Sequence, residues 1–139
     1  MINNGLPWDE DICLAAAESG HVDCLSWARS NGCPWYEEIM CSTAASEGQL
    51  EVLQWVRNNG CPWDETVCST AANGGYLKIL QWARTNGCPW DENTCLQAVK
   101  GNHLNVLQWA VGNGCPYEAN VLMSSAAFLG HFQLIQWAR

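Results

Sequence analysis

Apolar positions recur along this chain in two alternating kinds of block. In Asp64–Asn73, "DETVCSTAAN", Val67, Cys68, Ala71 and Ala72 cluster on one side of a helical wheel at about 100° per residue. Ser69, Thr70 and Asn73 fall on the other side. This spacing predicts a short helix with a small apolar face and a polar outer face. The second kind of block is "QLEVLQWVRNNG", Gln49–Gly60. Here Leu50, Val52, Leu53, Trp55 and Val56 span an arc of about 220°, leaving Glu51, Gln54 and Asn58 on the wet edge. A helix lying on a globule shows a stripe of about 100° or somewhat more. An arc twice as wide predicts a helix with neighbours on several sides.

The punctuation agrees with two helices per unit. Asp64 is placed to cap the first helix by accepting from backbone N–H groups two or three residues on, and Glu65 suits the positive end of its dipole. Gly74–Gly75 ends that helix where the chain turns left-handed. Asn59–Gly60 closes the second helix, and Pro62 prevents its continuation.

The pattern repeats. A Gly-x-Pro-aromatic corner begins at Gly5, Gly32, Gly60, Gly87 and Gly114, at spacings of 27, 28, 27 and 27 residues. Trp27, Trp55, Trp82, Trp109 and Trp137 keep the same beat. Units two and five each carry one extra residue, "WYEEIMC" and "YEANVLM", which puts Met123 in the slot that holds cysteine elsewhere. A helix pair of this length cannot bury a sufficient core alone, so the pairs must stack. The expected fold is an all-α helix-turn-helix repeat solenoid. It forms a single array over residues 1–139, with units at approximately 5–31, 32–59, 60–86, 87–113 and 114–139.

"TAANGGYLKILQWARTNG" and "LAAAESGHVDCLSWARSNG" resemble the helix–turn–helix portion of the ankyrin repeat. His21, His103 and His131 match the ankyrin histidine after the glycine, where Gln49 and Tyr76 stand in other units. The tryptophans at Trp55 and its equivalents sit where ankyrin repeats usually carry leucine. Cys68 and its equivalents match the leucine of the ankyrin Thr-Pro-Leu-His motif, which is otherwise missing. The period is shorter than the ankyrin period by about six residues, lost between Gly60 and Asp64, where ankyrins project a β-hairpin finger. The chain is thus similar to the short "CPWDE" ankyrin-like arrays of large DNA viruses, algae and oomycetes. The resemblance covers the full chain and implies an ankyrin-like array with shortened fingers.

Charge narrows the partners. The formal net charge is −8 with only six Lys and Arg, so no basic stripe exists to neutralise phosphates, and neither nucleic acid nor an acidic membrane surface is an expected partner. The opening Met-Ile-Asn-Asn-Gly does not resemble a signal peptide. With nine cysteines, an odd number, and no export signal, reduced thiols in an intracellular, cytoplasmic setting are expected. The viral resemblance would make that a host cell.

Candidate chemistry is thin. Cys33, Cys61, Cys88 and Cys115 repeat in the corners, and Cys13, Cys41, Cys68 and Cys95 in the first helices. No close Cys-x-x-Cys pair of the structural-zinc kind occurs. Buried packing is the expected role of these thiols, with metal or redox work as the alternative. The histidine slot is read as structural, through a hydrogen bond near the turn. The corner aromatics Trp8, Trp35, Trp63, Trp90 and Tyr117 and the second-helix tryptophans form two files. They are read as rings packed between adjacent units rather than as a sugar or base platform. Asp9–Glu10, Asp64–Glu65 and Asp91–Glu92 are cap and dipole partners rather than an acid–base pair. No catalytic residue, cofactor or metal is expected.

A repeat scaffold binds with positions that vary while its frame stays fixed. The varying outward triplets are Leu14/Ala15/Glu18, Ser42/Thr43/Ser46, Ser69/Thr70/Asn73, Leu96/Gln97/Lys100 and Ser124/Ser125/Phe128. The ankyrin resemblance implies that they line a concave face. The expected function is a non-catalytic scaffold that binds a partner protein there, through Glu18, Thr43, Ser46, Thr70, Asn73, Gln97, Lys100, Ser125 and Phe128. Alternatives are the substrate-recognition part of a ubiquitin-ligase adaptor, a structural array assembling end to end, and thiol metal or redox binding. Phe128 and Leu129 are apolar where other units are polar. Neither terminal repeat carries a polar capping variant, and Met1–Gly5 reads like the tail of a preceding second helix. Val22, Cys24 and Trp27, or Leu134 and Trp137, are therefore expected at exposed ends, in a chain cut from a longer array or one that self-associates end to end.

Overall fold

Asp9, Asp64 and Asp91 each adopt an extended backbone and open a helix. Their carboxylates accept from the N–H groups of Asp11, Thr66 and Asn93 at 3.1, 3.0 and 3.0 Å. The computed structural model describes residues 8–139, so the expectation for Met1–Gly5 lies outside the described residues. Among the described residues there are ten α-helices and no strand. They are α1 (Glu10–Ser19), α2 (Val22–Ser30), α3 (Met40–Ser46), α4 (Leu50–Asn58), α5 (Glu65–Gly74), α6 (Leu77–Thr85), α7 (Glu92–Lys100), α8 (Leu104–Gly112), α9 (Ala119–Leu129) and α10 (Phe132–Ala138). None is long and apolar enough to cross a membrane.

Contacts divide the chain into two compact units, Met1–Trp63 and Asp64–Arg139. In the first, α1 pairs with α2 and α3 with α4, and α1 packs on α3. In the second, α5, α7 and α9 pair with α6, α8 and α10, and α7 packs on both α5 and α9. Within each unit the odd-numbered helices thus pack on one another, as the small Cys-x-x-Ala-Ala face permits. Cys13, Ala17, Cys41, Ala44, Ala45, Cys68, Ala71 and Ala72 are all fully buried. On the even helices the wide apolar arc is used as expected: Val52, Leu53 and Val56 are buried, and Leu50 and Trp55 half-buried.

The extra residues in units two and five cost each helix its cap. Tyr36–Ile39 forms a turn, α3 starts only at Met40, and neither Ile39 nor Glu118 makes a side-chain cap bond. Gly20, Gly75 and Gly130 end their helices at φ 80°, 76° and 75°, a region costly for residues with a Cβ. The fourth repeat departs from this. Gly101 stays right-handed and Asn102 takes φ 61° instead. A Cβ on Gly101 would lie 2.2 Å from the Asn73 carbonyl oxygen, so glycine lets α7 approach α5 there.

Candidate interaction face and the corner that frames it

The repeated Cys-Pro-Trp corner is built from packing contacts. Each corner thiol meets the first-helix thiol of the preceding repeat: Cys33 with Cys13, Cys61 with Cys41, Cys88 with Cys68 and Cys115 with Cys95. Cys33, Cys88 and Cys115 also donate to the backbone carbonyls of the capping residues Asp9, Asp64 and Asp91, at 3.4, 3.3 and 3.5 Å. In the pair that lacks an aspartate cap, Cys41 donates to the Cys61 carbonyl at 3.7 Å instead. All eight are buried, and Cys24 alone is exposed among the free cysteines.

Burial sets their chemistry. It pushes the Cys13 and Cys41 thiols from 9.0 up to about 12, and Cys61 up to about 11. The hydrogen bond with Cys68, followed by burial, holds Cys88 well above the ordinary thiol range. Between Cys95 and Cys115 the shared hydrogen bond splits the pair, raising Cys95 and lowering Cys115. A thiol that stays protonated is a poor nucleophile and a poor metal ligand. Among the described residues no group of three or more His, Cys, Asp or Glu is placed to hold a metal ion.

The aromatic files meet differently from the expected ring-to-ring ladder between adjacent units. Ring pairs form within one repeat, edge to face, as Trp8–Trp27, Trp35–Trp55 and Trp90–Trp109, with centroids 6.0, 5.9 and 5.8 Å apart. An arginine makes the link between repeats. Arg29, Arg57 and Arg84 stack over Trp35, Trp63 and Trp90 at 4.3, 4.2 and 4.2 Å. Each also donates to the carbonyl of the next corner cysteine at 2.6 Å. A stacked guanidinium that also closes a hydrogen bond fixes the corner against the preceding helix more firmly than ring contact alone.

In the histidine slot, the expected hydrogen bond is made by Gln49, whose amide donates to the Glu18 carbonyl at 3.1 Å. His103 packs its ring against Gly75, and the buried Nε2 of His131 has no partner.

On the outward face of the first unit, Glu18 and Ser46 are exposed and Thr43 is half-buried, the Ser46 hydroxyl turning back to the Thr43 carbonyl at 3.0 Å. In the second unit Asn73, Lys100 and Phe128 are exposed, and Thr70, Gln97 and Ser125 half-buried. The Asn73 amide donates to Gln97 Oε1 at 3.0 Å, and the Gln97 amide donates to Asn93 Oδ1 at 3.2 Å. These bonds join α5 and α7 into one polar strip. Next to it, Glu92, Asn93, Leu96, Glu118, Val121 and Leu122 line a groove of about 160 Å³. One outward expectation fails. Ser69 is only 5 % exposed, and its hydroxyl is satisfied by the Thr66 carbonyl at 3.2 Å, so a serine fits the buried side. Phe128 is 90 % exposed, with Leu129 and Phe132 exposed beside it in sequence.

A second groove, of about 330 Å³ and mainly apolar, lies among α7–α10 and includes Val111, Tyr117, Met123 and Trp137. It opens where Val111 and Tyr117 stand in place of the arginine and tryptophan that close the earlier corners. Leu134, expected at an exposed end, is 2 % exposed and forms part of its wall, whereas Trp27 and Trp137 are exposed as expected.

No family model matches this chain, and comparison with curated proteins gives no match either.

Proposed function

We propose that the chain is a non-catalytic, ankyrin-like interaction scaffold that binds a partner protein through the outward residues of its first helices. The observation that carries this reading is the division of labour within α5, α7 and α9. Cys68, Ala71, Ala72, Cys95, Ala98, Val99 and Ala126 are buried, while Thr70, Asn73, Gln97, Lys100, Ser125 and Phe128 stay out of the core. The buried residues barely change between repeats, and the outward ones change in size, polarity and charge. The strip through Asn73, Gln97 and Asn93 supports the reading because its amides are already oriented side by side. Such preorganised groups lose little freedom when a partner engages them.

The combined variant Asn73→Asp, Gln97→Glu, Lys100→Glu tests this. It reverses the charge of the strip without touching a buried side chain. Capture of the partner is expected to fall at least about tenfold, roughly 1.4 kcal/mol, while the far-ultraviolet circular dichroism stays helical. Unchanged capture would reject this face.

A further inference from the structure

The corners at Cys33, Cys61 and Cys88 are each clasped by an arginine, and the corner at Cys115 is not. Arg29, Arg57 and Arg84 each follow a second-helix tryptophan by two residues. Each stacks over the next corner's ring and donates to that corner's cysteine carbonyl. Two residues after Trp109 stands Val111, which ends at its γ-methyls and carries no donor. The groups that an arginine would meet are still in place. Tyr117 supplies a ring in the slot of Trp35, Trp63 and Trp90, and Cys115 a carbonyl in the slot of Cys33, Cys61 and Cys88. Among the described residues, no donor reaches the Cys115 carbonyl and no cation lies over Tyr117.

Exposure agrees. Cys33, Cys61 and Cys88 are 0 % exposed, whereas Cys115 keeps 3 %. The tryptophans beneath the arginines are half-buried, but Tyr117 is 49 % exposed. Val111 and Tyr117 both line the mainly apolar groove, so the space between them is open. A nearly buried carbonyl without a donor favours any ligand able to satisfy it. Charge complementarity selects a cation, since the carbonyl oxygen and the ring face are both electron-rich. Glu118, next after Tyr117, lines the neighbouring groove together with Glu92, and Leu122 is common to both grooves.

We propose that this corner binds an arginine side chain of a partner peptide. Its guanidinium stacks over Tyr117 and donates to the Cys115 carbonyl, and its aliphatic stem lies against Val111. Arginine is chosen over lysine because a planar guanidinium stacks and donates from its edge at once, whereas an ammonium is a point charge without a plane. The contact reproduces between molecules the clasp that Arg29, Arg57 and Arg84 make within the chain. It uses none of the first-helix residues proposed above, so the two readings stand or fall separately.

The test is a nuclear magnetic resonance titration of the 139-residue chain with N-acetyl-arginine methylamide, a stand-in for a peptide arginine. The Val111 methyl and Tyr117 ring signals are expected to shift and saturate. The lysine and citrulline analogues, which lack the plane or the charge, are each expected to bind at least about tenfold more weakly. Val111→Arg gives the corner a clasp of its own and is expected to abolish the shifts at Tyr117. Circular dichroism checks that this variant folds, and Tyr117→Ala, at an exposed ring, is a second variant expected to weaken binding at least about tenfold. A wild-type chain without saturable shifts at Val111 and Tyr117 overturns the proposal. So does lysine binding as tight as arginine binding, or a folded variant of either kind that binds as well as wild type.

Discussion

Stability of the reduced protein is expected to fall steeply as pH rises from 9.0 toward 12, the window set by Cys13, Cys41 and Cys61. Below this window each thiol is protonated in both the folded and the unfolded chain and contributes no pH dependence. Above 9.0 the unfolded chain releases protons that burial forces the folded chain to keep. The unfolded state then binds fewer protons, so the free energy of unfolding decreases with pH. The loss is about 1.4 kcal/mol per pH unit for each thiol held up. Urea midpoints measured from about pH 8 upward check this, since a neutral thiol core predicts a flat line that bends down near the ordinary thiol value. The double variant Cys41→Ala, Cys61→Ala should start lower and fall less steeply. A midpoint that does not bend would mean that these thiols are not held neutral by burial.

Leu80→Ala is expected to cost about 2–5 kcal/mol, the range for emptying a leucine site in a packed interior. Leu80 is fully buried on α6, where its slot meets the next helix pair. Against a total stability of about 5–15 kcal/mol, that change removes a large fraction of what holds a domain folded. Lys78, exposed on the same helix, supplies the contrast: Lys78→Ala should change stability by no more than about 0.5 kcal/mol. Denaturant unfolding of the two variants beside wild type measures both. A Leu80→Ala cost below about 1 kcal/mol would contradict the wide buried arc assigned to the second helices.

The helices were legible because their signals are local. Asp64 caps, Gly75 turns left-handed and Val52, Leu53 and Val56 go inside, each as hydrogen bonding and periodicity dictate. The thiol pairs were half legible. Their spacing within a unit is eight residues in the second and seven in the third and fourth, but Cys13–Cys33, Cys41–Cys61, Cys68–Cys88 and Cys95–Cys115 are each 20 apart. That constancy is the trace of a contact between repeats, since the extra residues fall outside it. The arginine file left a similar trace, Arg29, Arg57 and Arg84 keeping step with the tryptophans. A charged residue on a wet helix edge reads as solvated until a ring is found beneath it. A helical wheel turns Ser69 outward because it gives direction and not coverage, and packing by neighbours decides whether that direction meets water. The candidate face was legible only as variation between repeats. The bond from Asn73 to Gln97 needed the spacing of α5 and α7 in three dimensions.

We propose the corner as a joint and the first-helix face as the binding surface. Side-chain amides report on the two regions separately, since Asn73, Asn93 and Gln97 lie on the face and Asn59, Asn86 and Asn113 donate to tryptophan carbonyls at the corners. Two-dimensional nuclear magnetic resonance of the labelled chain, with and without its captured partner, decides between them. The Asn73 and Gln97 amide signals are expected to shift or broaden while those of Asn59, Asn86 and Asn113 stay in place. Shifts confined to the corner amides, with Asn73 and Gln97 unmoved, would contradict that proposal.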